Sequence, residues 1–252
     1  MKGFIVCERF NTPFRAGLLI FILMMFFGHK LTADDFDLPP GTYAEIGPGS
    51  FWDNPIVRIW GWSKTGNVAL STELLTQRPS RVINFIIQNL ITDEIIFNLD
   101  IEVNEDGYKA NGVIDGKNKT LELDITEMNV LPDLYGPVMP EIIKAMKNNG
   151  ILEHHTDFLK FPFVINNFNY TAYTRVKEEN DSEGKVKFDI IVKRNGKEKI
   201  IKTASNFFRE DQVIGYYKSP FENRALIVSG AAMSSHSVTW RFSGCHLNLG
   251  FD

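Results

Sequence analysis

The polar and apolar positions of this chain alternate mainly with the two-residue period of a β-strand. Ile56 to Trp60 is a short apolar run broken by Arg58, and Asn67 to Leu75 resumes it after a Lys64-Thr65-Gly66 turn. From Val82 to Gln88, Ile83, Phe85 and Ile87 alternate with Asn84 and Ile86, and Ile95 to Val103 follows the Asn89–Glu94 turn. Four short runs separated by turn signals predict an antiparallel meander. Between Asn104 and Lys119, the pairs Asp106-Gly107, Asn111-Gly112 and Asp115-Gly116 predict tight turns and short hairpins.

The period changes once, over residues 138–149. Pro137 and Pro140 suit a helix entrance, where a missing amide donor costs nothing, and Ile142, Ile143 and Met146 form an apolar stripe beside Glu141, Lys144 and Lys147. Gly150 is the expected stop. Strands then resume. Val186 to Lys193 and Lys197 to Lys202 flank Asn195-Gly196, a pair suited to the type I′ turn of a two-residue hairpin. Further strands are expected at Phe163–Lys177, Val213–Lys218, Ala225–Ser229 and Ser237–Phe242. The expected class is mainly β (or α+β), with antiparallel meander sheets in two lobes, 34–130 and 131–252, and the helix between them.

The first 33 residues are of another kind. Lys2, Arg9 and Arg15 precede an uncharged apolar run of 13 residues, 16–28, and Asp34, Asp35 and Asp37 follow it. A membrane span needs about 20 apolar residues, so this run has the length of a signal-peptide core. The charge bias would keep the N-terminus inside and send the body across. Removal after Leu31-Thr32-Ala33 is the expectation; a retained anchor and a buried core helix are the alternatives. The membrane would then be met only through residues 16–28.

Charge and cysteine narrow the partners. Four of the 27 basic residues and one of the 31 acidic ones lie in the first 33, so the body keeps 23 and 30, a net charge of −7. That balance opposes nucleic acid and anionic membranes as partners. Cys7 lies in the segment expected to be lost, which leaves Cys245 with no internal disulfide partner. Asn118-Lys-Thr, Asn169-Tyr-Thr and Asn180-Asp-Ser match the N-glycosylation acceptor pattern, relevant only in a eukaryotic source.

Trp62-Ser-Lys-Thr-Gly-Asn-Val-Ala69 resembles the W-S-x-x-G-x-x-A element of the propeller repeats in TolB-like periplasmic proteins. The following Phe85–Glu94 is similar to the second half of such a blade, with Asn89 where the repeat has Asp and Asp93 where it has Gly. The likeness spans Ile56–Asp100 once. It implies a blade-like four-stranded sheet, with Gly66 in the turn and Ala69 in close packing, and no closed propeller, which needs about four blades.

No motif carries a catalytic or cofactor signature. His29, His154, His155, His236, His246 and Cys245 lack zinc-site spacing. Glu102, Asn104, Asp106 and Gly107 run like the start of a calcium loop, but its twelfth position is Val113, where a carboxylate is required. Val228-Ser229-Gly230 lacks the first glycine of a nucleophile elbow. Tyr43, Phe51, Trp52, Trp60 and Trp62 cluster; core packing and a stacking surface for a sugar or peptide both fit them. The expectation is an exported envelope or periplasmic β-rich binding or structural module, without metal or organic cofactor, for a protein, peptide or glycan ligand. A secreted hydrolase with a site built from distant loops and a membrane-anchored subunit of an envelope complex are the alternatives.

Overall fold

The computed structural model describes residues 39–43, 56–75, 81–104, 107–114, 116–123, 134–180, 182–207, 209–234 and 237–251. Residues 1–33, with the apolar run and its processing site, lie outside them, as do Phe51, Trp52 and His236. The described chain is mainly β, in three antiparallel sheets with one α-helix.

Sheet A runs in sequence order: β1 (Gly41–Tyr43), β2 (Ile56–Trp62), β3 (Asn67–Leu75), β4 (Arg81–Asn89), β5 (Ile95–Asn104), β6 (Gly107–Ile114) and β7 (Lys117–Leu123). Its β2–β5 portion is the expected meander. The β2–β3 turn is capped by Ser63, whose Oγ accepts from the amides of Thr65 (3.1 Å) and Asn67 (2.8 Å). Gly66 takes φ +88° there, and Ala69 and Trp62 are buried. Asn111-Gly112 does not turn the chain as its sequence suggests; it lies inside β6. A Cβ at Gly112 would sit 2.7 Å from the Asn98 carbonyl, so close approach of β5 explains this glycine.

Helix α1 (Met139–Asn148) follows a 3-10 turn at Gly136–Val138 and ends as the sequence predicts. Gly150 has φ +63°, and the Ile151 amide returns to the Met146 carbonyl at 2.9 Å. The chain then adds β8 (Leu152–Glu153) to the Gly61–Trp62 end of β2, whose other end carries β1.

Sheet C comprises β10 (Phe163–Ile165), β11 (Phe168–Asn180), β12 (Lys185–Arg194) and β13 (Lys197–Phe207). Asn195 and Gly196 take φ +47° and +92° in the β12–β13 hairpin. The run read as one strand from Phe163 is broken by a second such turn, Asn166-Asn167, with φ +50° and +64°. Asparagine tolerates the left-handed region better than other non-glycine residues, which makes this turn possible.

Sheet B has the order β16 (Ser237–His246), β15 (Arg224–Ser234), β14 (Gln212–Lys218), β9 (Phe158–Leu159). It is the middle layer. One face carries Tyr217, Leu226 and Val228, which pack on Val57, Ile59, Trp62, Val68, Leu70, Ile86 and Leu90 of sheet A. The other face carries Tyr216, Ala225, Ile227 and Cys245, which pack with Tyr170 and Val192 of sheet C. Every residue from Ala225 to Ala231 is therefore buried. A strand covered on both faces reads as a continuous apolar run rather than an alternation.

Sheets A and B approach closely at Gly244, where an added Cβ would run into the Leu90 carbonyl. Gly196 differs: nothing lies within 4 Å of its added Cβ, and only its positive φ demands glycine. Gly244→Ala should cost about 3 kcal/mol by forcing the layers apart. Gly196→Ala should cost about 1 kcal/mol through the backbone alone. Urea unfolding of the two variants beside the parent checks the order, and equal midpoints would contradict it.

Candidate functional site

The chemistry-bearing side chains fall into four groups, and three of them are engaged in holding the layers together. The first lies between sheets B and C. Asp211, fully buried just before β14, accepts from Arg241 Nε (3.0 Å) and Ser229 Oγ (2.9 Å), and Asn206 Nδ2 donates to its other oxygen. Thr174 Oγ1 donates to the Asp211 carbonyl at 2.9 Å. An Asp–Ser contact is a fragment of hydrolase chemistry. Here, however, the hydroxyl donates to the carboxylate, both groups are sealed, and no histidine is among the described hydrogen-bond partners of either. The arrangement is an ion pair whose carboxylate is sealed from solvent and accepts three hydrogen bonds, with Arg241 partly exposed.

The second group sits on the opposite face of sheet A. Arg58 Nε meets Glu73 Oε1 at 2.6 Å, and Arg58 Nη1 donates to the Pro39 carbonyl at 2.6 Å, which ties β1 to β2. Tyr135 Oη donates to Glu73 Oε1 at 2.9 Å and lies 2.9 Å from Ser71 Oγ, which also accepts from Trp60 Nε1 at 2.9 Å. Burial, reinforced by the Glu73 charge, pushes the Tyr135 phenol far above its ordinary pKa. It remains a neutral hydrogen-bond donor. Trp60 packs edge-on to Phe85 and Tyr135, at 5.3 and 4.9 Å between ring centres. Trp60 and Trp62 thus serve the core, one on each face of sheet A, with Trp62 Nε1 donating to Thr156 Oγ1 at 3.2 Å.

The third group closes the edge of sheet B. Asp93, at φ +62°, accepts from the Gly244 amide at 2.7 Å, and Gln88 Nε2 donates to the Phe242 carbonyl at 3.1 Å. Lys202 Nζ of sheet C lies 3.5 Å from Asp93. These side chains take the outward backbone groups of β16 that another strand would otherwise pair. Asp93, one of the two positions at which Phe85–Glu94 departs from the TolB-like repeat, shares this closure with Gln88.

The candidate metal ligands do not assemble among the described residues. His154 and His155 are exposed, with His154 against Phe221 and His155 Nδ1 3.3 Å from the Ile59 carbonyl. His246 Nδ1 accepts from the Asn248 amide at 3.2 Å; burial, then Arg224 and Lys199, hold its pKa below the usual value. Cys245 is buried between sheets B and C, and that burial pushes its thiol up to about 11.

The fourth group is accessible. Sheet A runs past sheet B, so that β5, β6 and β7 form a wing. Across the strands, the row Ile59–Leu70–Ile86 is apolar under sheet B and becomes Asn98 where β5 begins the wing. The next row reads Val57–Thr72–Asn84–Asp100–Asn111–Thr120. On β5, Leu99, Ile101 and Val103 are buried, whereas Asn98, Asp100 and Glu102 are exposed. The polar row is ordered internally: Asn84 Nδ2 donates to Asn98 Oδ1 (2.8 Å) and to Asp100, Asn98 Nδ2 to Asp100 Oδ2 (3.0 Å), and Thr120 Oγ1 to Asn111 Oδ1 (2.7 Å). At its β5–β6 end a concavity of about 360 Å³ is lined by Glu102, Asn104, Tyr108, Lys109 and Glu122, with Lys109 and Glu122 paired at 3.1 Å. Val82 and Val113 are exposed at its margins.

No family model, curated protein or solved structure matches the chain.

Sequence reasoning assigned no role to Asp211, Arg241 or the wing. The first two are distant in sequence from their partners. The wing left one signal, the alternation of Asn98, Asp100 and Glu102 with apolar neighbours in a strand whose other face is core. Asp211→Ala strands the Arg241 charge and should cost about 3–5 kcal/mol, measurable by urea unfolding. A loss below about 1 kcal/mol would show that the network carries no stability. Cys245 should react with an aromatic disulfide reagent only as fast as the protein unfolds. The folded state keeps its thiol protonated while an unfolded thiol ionises near 9, so stability should fall as pH rises from about 9 to about 11. Rapid labelling of the native protein would contradict the burial.

Proposed function

We propose that this chain is an exported binding module of the cell envelope, without metal or organic cofactor, whose binding surface is the wing of sheet A. The observation that carries the reading is the ordered polar row over Asn84, Asn98, Asp100, Asn111 and Thr120, on a part of that face where the described β5 side chains Asn98, Asp100 and Glu102 are exposed. Side chains already fixed by their neighbours lose little rotational freedom when a ligand lands on them. Networks that bury their charges, as around Asp211 and Glu73, are closed to substrate and serve stability instead. Export is supported by the basic residues Lys2, Arg9 and Arg15 before the 13-residue apolar run, and by the acidic residues after it.

One experiment on the native envelope reads both halves of this proposal. Carbodiimide labelling of carboxylates in intact envelope and in purified protein, followed by mass spectrometry, should find a mature N-terminus near Asp34. It should also find Asp100, Glu102 and Glu122 protected in the envelope, with Glu178, Glu179 and Glu183 labelled alike in both samples. An intact Met1 on protein from the soluble cytoplasm would overturn export. Equal labelling of the wing in both samples would overturn its role in binding.

A further inference from the structure

The chain leaves β16 at His246 and runs as a strap, residues 247–251, across one end of the interface between sheets B and C. Leu247 and Phe251 are buried there with Tyr170, Val192 and Tyr216, whereas Asn248, Leu249 and Gly250 between them are exposed. Among the described residues no strand pairs with the strap. Its main-chain groups are taken up singly. The Leu247 amide donates to the Asn223 carbonyl (2.8 Å), and the Leu247 carbonyl accepts from Tyr170 Oη (2.9 Å). Arg194 Nη1 donates to the Asn248 carbonyl (3.1 Å), and Lys199 Nζ donates to the carbonyls of Leu249 (3.0 Å) and His246 (3.3 Å). The same two cations lie over the Phe251 ring, at 4.7 and 5.7 Å from its centre. A segment fastened by side chains and a few exposed main-chain bonds opens more readily than the paired strands beneath it.

One fastening differs from the rest. The Asn248 amide donates to His246 Nδ1 at 3.2 Å. An amide can only donate, so Nδ1 is the lone-pair nitrogen of a neutral ring; in the imidazolium both nitrogens carry protons and neither accepts. Binding a proton therefore sets one N–H against another. The charge it brings is also badly placed. Arg224 lies opposite His246 on β15, and Lys199 reaches in from β13. Glu222, the acidic group that acts on the ring, is already paired with Arg224 at 3.3 Å. Asp93, at the nearby Gly244 amide, is engaged by Lys202. A charged ring repels Lys199, whose ammonium also holds the Leu249 carbonyl. We propose that His246 is an acid-sensitive latch: protonation of its ring frees residues 248–251 and lifts Phe251 off Tyr170, with the strap hinged at Leu247 and the three sheets still paired. Burial first, then Arg224 and Lys199, hold the folded-state pKa of the ring below its ordinary value of 6.5. The latch is therefore fully closed above that value, and its contribution is lost as pH falls through the lower folded-state value.

The test is amide hydrogen exchange by NMR on the full chain in mild detergent, from about pH 7.5 to about pH 5, where exposed carboxylates stay ionised. Each rate is divided by that of an unstructured peptide at the same pH. In the parent, protection of the Asn248 amide should fall by roughly fivefold or more as the pH drops, the size expected for one lost hydrogen bond. The fall should follow the titration of the His246 ring, read from its own ring-proton signal, while the amides of β15 keep their protection. His246→Asn supplies an acceptor that does not titrate, since an asparagine side chain accepts from the amide two residues on. That variant should stay protected across the range, and His246→Ala should be unprotected throughout. The double variant His154→Asn/His155→Asn, altered at exposed histidines away from the strap, should respond as the parent does. Constant protection of Asn248 in the parent, the parent's loss reproduced in His246→Asn, or a response abolished in the His154/His155 variant overturns the latch. The parent alone decides the matter if a His246 variant fails to fold. Coincident midpoints for the ring and the Asn248 amide support the latch, and midpoints separated by more than about one pH unit overturn it.

Discussion

The central strand of sheet B has no solvent face: every residue from Ala225 to Ala231 is buried between two other sheets, where an unmatched polar group costs about 1–3 kcal/mol. Much of the remaining structure answers that demand. Ala225, Leu226, Ile227 and Val228 meet it with apolar surface directed to both sides. Ser229 and Arg241 meet it through Asp211, which brings a carboxylate to the same interface from the loop before β14. At the edge, where backbone groups point out of the sheet, Asp93 and Gln88 reach across from sheet A.

What the sequence disclosed follows from how local each cause is. The Asn195-Gly196 hairpin, the helix stop at Gly150 and the β2–β5 meander depend on neighbours a few residues away, and all three are present. Asn166-Asn167 escaped notice because its signal is weaker than that of Asn-Gly, and Asn111-Gly112 misled because its glycine answers to β5, a non-local contact. The aromatic pair Trp60 and Trp62 permitted two readings until the β-bulge beside Ile59 and Gly61 placed one ring on each face of the sheet. Asp211 and Arg241 were illegible for a simple reason: 30 residues separate them, and no spacing rule joins a loop to a strand in another hairpin.

The contrast between buried and exposed polar groups organises the functional reading. Around Asp211 and Glu73, charges are matched inside the protein and unavailable to anything else. On the wing, amides, hydroxyls and carboxylates are also matched to one another, but each keeps capacity facing water. Their hydrogen bonds act like a frame that holds a set of acceptors in place before any ligand arrives. The apolar side of the same strands, Leu99, Ile101, Tyr108 and Ala110, is core, so the frame is backed by close packing rather than by a loose hairpin.

The order of the layers has a consequence for biogenesis. Sheet A and sheet C are both encoded ahead of β14, β15 and β16, the strands that separate them. A chain emerging from its N-terminus, whether from a ribosome or across a membrane, therefore completes both outer slabs before the filling exists. During that interval two apolar faces, one bearing Trp62 and Leu70, the other Tyr170 and Val192, have nothing of their own to pack against. Surfaces of that kind are where nascent proteins stick to each other. For this protein the strands β14, β15 and β16 decide whether two half-built sheets close on their own centre or on a neighbour.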